Sequence, residues 1–167
     1  TSIIDFWRRW HITLSTFLRD FLYIPLGGNK KGSARRFANL LTTMLLGGLW
    51  HGAGWTFVVW GFMHGIFLVT NHAWLTLKKR IPYRSTTLTR SVSWSITFFS
   101  VVAAWVVFRA NTMEDAFVIL KGMMGFNGFD PLNIPLMMGD KKLFIVLSLY
   151  ALIALVFKNS QEFFGKY

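Results

Sequence analysis

Between Phe37 and Leu77 the chain runs for 41 residues without an Asp, Glu, Lys or Arg. The hydrocarbon core of a bilayer is about 30 Å thick, and about 20 helical residues cross it. The run is therefore longer than one crossing requires, and it is not uniform. Its centre reads Gly47-Gly48-Leu49-Trp50-His51-Gly52-Ala53-Gly54-Trp55, glycine-broken around an ionisable side chain. Such a group is costly at that depth unless it is paired or set in a wet cavity, which makes His51 a functional candidate by position.

Basic clusters flank the run. Residues 1–36 carry seven Lys or Arg and two Asp, a net of +5 (7 − 2), and residues 78–90 carry five cations and no acid. The positive-inside rule places both clusters on the cytoplasmic side, so the chain must enter the membrane and come back. Two helical limbs are expected, Phe37 to about Leu49 and about Thr56 to Leu77, joined by a turn over Trp50–Trp55. The first limb has only 13 residues, which favours a re-entrant or thin-membrane hairpin over two full spans. Non-helical backbone at that depth needs protein or a water-filled cavity around it.

Composition agrees with a membrane protein. Only 15% of residues are charged, against about 25% in soluble domains, and the mean hydropathy is +0.43. The net charge of +11 sits in clusters beside apolar runs, which argues against nucleic acid as a partner and for the lipid bilayer. The absence of cysteine excludes disulfides, cysteine metal sites and a thiol nucleophile. There is no initiator Met, and residue 1 opens directly into an aromatic-basic stretch, as expected of a piece of a longer protein.

Elsewhere the pattern is helical throughout. Residues 5–22 predict an amphipathic helix, with Trp7, His11, Leu14, Leu18 and Phe21 on one apolar stripe. Pro25 and Gly27-Gly28-Asn29 end it, and Lys30, Lys31, Arg35 and Arg36 mark a cytoplasmic loop. Residues 91–108 are uncharged and long enough to cross once. Asn111 or Thr112 can cap a following helix with Glu114 and Asp115 in its first turn; Met113, Phe117 and Leu120 would be its apolar stripe. A loop with Gly122, Gly125, Gly128, Pro131 and Pro135 leads to a last short span over 143–157. The expected architecture is all-α: a polytopic integral membrane bundle with amphipathic and re-entrant helices, of which residues 1–167 are one incomplete domain.

Four histidines offer chemistry. His51 reads either as a general base at the bottom of a cavity or as a satisfied histidine capping a buried helix end. His11 lies on the apolar stripe, where a packed, hydrogen-bonded side chain is expected. His64 and His72 share a face with Trp60 and read as bundle-facing. They form no metal-ligand pattern, since no HExxH or HxH occurs and no carboxylate lies in the membrane runs. No nucleophile elbow and no phosphate-cradling glycine loop is present. A neutral imidazole in a low-dielectric cavity can take the proton of a hydroxyl as that oxygen attacks an acyl carbon. Acyl transfer from a thioester needs neither metal nor cysteine.

Two motifs carry a resemblance. Residues 5–20, Asp5-Phe6-Trp7-Arg8-Arg9-Trp10-His11 through Asp20, followed by Tyr23-Ile24-Pro25-Leu26-Gly27-Gly28-Asn29, resemble the signature of the membrane-bound O-acyltransferase (MBOAT) family. The block Thr43 to Trp55 is similar to that family's active-site histidine motif. The YIPLGGN string resembles the bacterial alginate O-acetyltransferase subgroup more than the D-alanyl transferases of teichoic acid, and Phe108-Arg109-Ala110 with the following helix resembles that subgroup's C-terminal region. The resemblance implies His51 as the essential histidine and His11 as the second polar position, which is asparagine in several eukaryotic members. It implies no tightly bound cofactor, with acetyl-CoA or another acyl thioester as cytoplasmic donor and a hydroxyl acceptor on the far side. It further implies an extracytoplasmic acetyl-transfer partner protein, a polysaccharide acceptor, and a multi-pass place in the bacterial inner membrane. The alternative is a non-enzymatic conduit in which the histidines relay protons; it would expect acidic partners in the spans, and there are none.

Overall fold

A computed structural model describes residues 2–81, 84–126 and 128, together with 145, 146 and 148–150. The chain divides into two compact units, 1–126 and 127–167, and the first holds every element discussed below. Among the described residues all regular structure is helical, as expected: α1 (Ile3–Arg9), α2 (Ile12–Leu18), a π-helical turn (Arg19–Tyr23), α3 (Gly32–His51), α4 (Trp55–Lys78), α5 (Thr87–Arg109) and α6 (Met113–Met123). The span expected over 143–157, and the loop with Pro131 and Pro135, lie outside the described residues apart from isolated positions.

The uncharged run folds as two long antiparallel helices, α3 and α4, joined by Gly52-Ala53-Gly54. Their backbones touch. A Cβ on Gly48 would fall on the carbonyl oxygen of Phe57, and one on Gly61 on the carbonyl of Met44. Small residues permit that approach where side chains would hold two helices apart. The first limb is not short: α3 has 20 residues, about 30 Å, because it begins at Gly32 and includes Arg35 and Arg36. The first uncharged residue marks a change of polarity, whereas a helix continues as long as its backbone bonds do. The break is also narrower than Trp50–Trp55, since Trp50 and His51 are still helical and Trp55 already is.

The helix expected over 5–22 is instead α1, α2 and the π turn. The chain breaks at Trp10, which is extended (φ −100°, ψ 133°), and at His11, which is left-handed (φ 45°, ψ 52°). A non-glycine residue in that region is uncommon, and His11 is the only one among the described residues. Trp10 is held by its ring contacts, stacked on Phe6 at 5.9 Å and against Trp105 at 5.2 Å. Trp7, Leu14 and Leu18 are buried as the stripe predicts, but the break turns His11 out and Phe21 is exposed as well.

Helix α5 covers the span expected at 91–108 and starts earlier, from a capping box between Thr86 and Thr89. It is the one described helix long and apolar enough to cross a membrane, with mean hydropathy 1.8 in its best window. Thr112 caps α6 through a reciprocal pair with Asp115. Of the stripe expected on α6, Leu120 packs against the core, whereas Met113 and Phe117 are exposed and Ala116 is fully buried. Ala116 joins the core cluster of Trp7, Trp60, Ala104 and Val107, with Leu120 packed against it, while Met113 and Phe117 face outward.

Candidate active site

His51 is the last residue of α3, and the turn that follows sets its surroundings. Gly52 leaves room for Phe57: a Cβ there would meet the Phe57 ring at 2.7 Å. The chain therefore doubles back tightly, and the first turns of α4 come alongside the imidazole. Trp60 stands edge-on to it with ring centroids 5.2 Å apart at 89°. Phe108, from the end of α5, stands likewise at 5.1 Å and 87°. Phe57 and Trp50 lie at 6.4 and 5.3 Å. His51 is half-buried, in an aromatic setting made by three helices.

His11 reaches the same place from the junction of α1 and α2. Its ring centroid is 6.5 Å from that of His51 at 63°, and no hydrogen bond to either ring occurs among the described residues. The left-handed backbone at His11 breaks the helix where a continuous one would have laid the side chain along its stripe. The His11 carbonyl accepts from Ser15 N–H at 3.0 Å, which starts α2, and the Ser15 hydroxyl donates back to the Trp10 carbonyl at 3.3 Å. Two histidines 40 positions apart are thus brought together, one exposed and one half-buried.

Behind them lies a second polar group, His64, with no solvent exposure. The indole N–H of Trp7 donates to its Nδ1 at 3.3 Å. A neutral imidazole that accepts at Nδ1 carries its hydrogen on Nε2, and that atom is buried without a partner, as is the indole nitrogen of Trp60. Trp60 touches His64 at 4.9 Å and so separates it from His51. His64 is bundle-facing, in keeping with its helical phase, and His72 is half-buried further along α4.

No group of three or more His, Cys, Asp or Glu among the described residues is placed to hold a metal ion. Three cavities lie among the helices, and neither His51 nor His11 lines any of them. What the arrangement offers is one half-buried imidazole with fixed walls and a second imidazole across from it, free to bind or orient a polar group between them. The walls from Trp60 and Phe108 are the residues that sequence reasoning missed. Phe108 lay inside a recognised motif, and its position beside His51 depends on how α5 packs.

With that geometry established, the comparisons with known proteins fall into place. A family model described as MBOAT, membrane-bound O-acyltransferase family, matches residues 1–113. The chain belongs to the membrane-bound O-acyltransferase family. It is 49% identical over 127 residues to the peptidoglycan O-acetyltransferase of Helicobacter pylori, a match covering 76% of this chain and 24% of that one. It is 50% identical over 125 residues to a probable alginate O-acetylase, AlgI, of Pseudomonas putida, covering 75% and 24%. The teichoic acid D-alanyltransferase of Streptococcus thermophilus is 34% identical over 122 residues, covering 62% and 29%. The chain spans about a quarter of the length of the relatives it matches. Both motifs, with His11 and His51, lie inside the matched segment.

Proposed function

We propose that the complete protein is an O-acyltransferase that moves an acetyl group from a cytoplasmic thioester, acetyl-CoA or another, to a hydroxyl acceptor. The observation that carries this is the meeting of His11 and His51, drawn from two separate motifs to 6.5 Å in a family defined by acyl transfer. His51 acts as general base: its neutral nitrogen takes the hydroxyl proton as the oxygen attacks the thioester carbonyl. The tetrahedral intermediate collapses, the C–S bond breaks, and the imidazolium returns its proton to the departing thiolate. His11 assists from across the gap, holding the acceptor hydroxyl or hydrogen-bonding the oxyanion.

The acceptor is an exopolysaccharide, alginate or another, reached on the far side of a bacterial inner membrane through an extracytoplasmic partner protein. The names of the more similar relatives support a polysaccharide acceptor over teichoic acid, since acetyl transferases for alginate and peptidoglycan share about half of the aligned residues, against 34% for the D-alanyl enzyme. The test is His51→Ala in the complete protein, with membrane abundance measured alongside. Loss of about a hundredfold to ten-thousandfold in acetyl transfer at unchanged abundance is expected for a general base. Retained transfer sinks the assignment.

A further inference from the structure

Away from the histidine pair, the open end of the α3–α4 hairpin carries a separate site. The helices run antiparallel, so the start of α3 and the end of α4 meet there, and both are basic. Arg36, on the first turns of α3, shares a cavity of about 490 Å³ with His72, Leu75, Thr76 and Lys78 of α4 and with Lys79, which caps that helix. No carboxylate among the described residues lines it.

Arg36 is the informative residue. Its guanidinium is parked over the Phe37 ring, 5.1 Å from the centroid, and its Nε is buried without a hydrogen-bond partner. A buried donor on a charged group is expensive to leave unpaired. An arginine fork beside lysine point charges suits a phosphate group, which accepts from both kinds of donor. Basic pockets between membrane helices on the cytoplasmic side are also where anionic headgroups are held.

We propose that this cavity binds a phosphate group, from an anionic phospholipid headgroup or from a soluble phosphate-bearing molecule, with Arg36 and Lys79 as its principal contacts. The site lies at the opposite end of α3 from His51, so it docks a ligand and takes no part in the proton transfer.

The complete protein tests this with two probes. Phosphatidylglycerol is supplied in phosphatidylcholine nanodiscs, and retained lipid is read by native mass spectrometry. Inorganic pyrophosphate is titrated calorimetrically in neutral detergent. Binding of either probe is expected, weakened about tenfold by Arg36→Gln with Lys79→Gln. Arg84→Gln, which removes a charge outside the cavity lining, is expected to leave binding within about twofold. Retained lipid without pyrophosphate binding assigns the headgroup, and the reverse assigns a soluble phosphate. If the double variant does not accumulate, exposed Lys79→Gln alone is expected to weaken binding about threefold. The proposal is overturned if wild type binds neither probe, if the variants bind as wild type does, or if Arg84→Gln weakens binding as much.

Discussion

Trp60 and Phe108 both stand nearly perpendicular to the His51 ring, at 5.2 and 5.1 Å, and touch each other at 5.2 Å, so the three rings form one close triangle. Trp60 is itself pinned by Trp7 at 6.0 Å and His64 at 4.9 Å. Turning the imidazole would lose edge-to-face packing against rings that the core holds. Edge-to-face contacts are worth about 0.5–1.5 kcal/mol each beyond burial, enough to select one ring orientation over others.

If that aromatic packing aims the base, aliphatic replacement should damage turnover more than binding. Trp60→Leu or Phe108→Leu in the complete protein is expected to lower kcat about tenfold to a hundredfold, with KM moving much less, because small misplacements of a reacting group are costly. Trp60→Phe and Phe108→Tyr keep an aromatic wall and should recover most of the loss. Equal effects of leucine and aromatic replacements would show that the rings only fill space.

The second histidine calls for a different contrast. In the proposed mechanism His11, across the gap from His51, would contribute a hydrogen bond to the reacting group, so a smaller polar group that still donates should replace part of it. His11→Asn is expected to retain a measurable fraction of acetyl transfer, and His11→Ala to lose about a hundredfold or more, the usual effect of removing one donor to developing charge. Activity of His11→Ala equal to wild type would remove His11 from the reaction.

Much of this arrangement is visible in the sequence, and the parts that are not share a cause. The uncharged run, its glycine-broken centre and the position of His51 follow from local composition. The Thr112 cap follows from a four-residue pattern, and α5 from hydropathy alone. The break at Trp10-His11 has no such mark: neither residue is glycine or proline, and the left-handed turn exists because Trp10 packs on Phe6 and on Trp105, the latter 95 positions away. The phase of α6 was likewise set by which residue fits the core, Ala116 and not the larger Met113 or Phe117. Local periodicity records amphipathicity, and it does not record which face a neighbour takes.

The hairpin that carries His51 depends on backbone contact at Gly48 and Gly61. Gly48→Ala would push a methyl group onto the Phe57 carbonyl, and neither backbone can yield cheaply inside a packed helix pair. A loss of ~1–3 kcal/mol is expected, as for other overpacked positions, read as a lower unfolding temperature in detergent. Gly54→Ala is the milder comparison: its Cβ would find a nearest neighbour at 3.5 Å, ordinary contact, so only the N-cap preference for glycine over alanine is lost, at an expected cost below ~1 kcal/mol. Indistinguishable melting of the two variants would refute the close crossing.

The hydrogen bond from Trp7 to His64 ties α1 to α4 beside Trp60, which walls His51. Trp7→Phe removes the donor and leaves Nδ1 buried and unpaired, at an expected ~1–3 kcal/mol, while keeping most of the aromatic volume. His64→Phe removes the acceptor and the need for a donor together. The two changes should therefore be non-additive: the double variant is expected to be more stable than the sum of the single losses by ~1 kcal/mol. Thermal unfolding of all four proteins in one detergent measures this coupling. Strict additivity would mean that the indole contributes shape alone, and that α1 is held by packing on Phe6 and Trp10 without the buried bond.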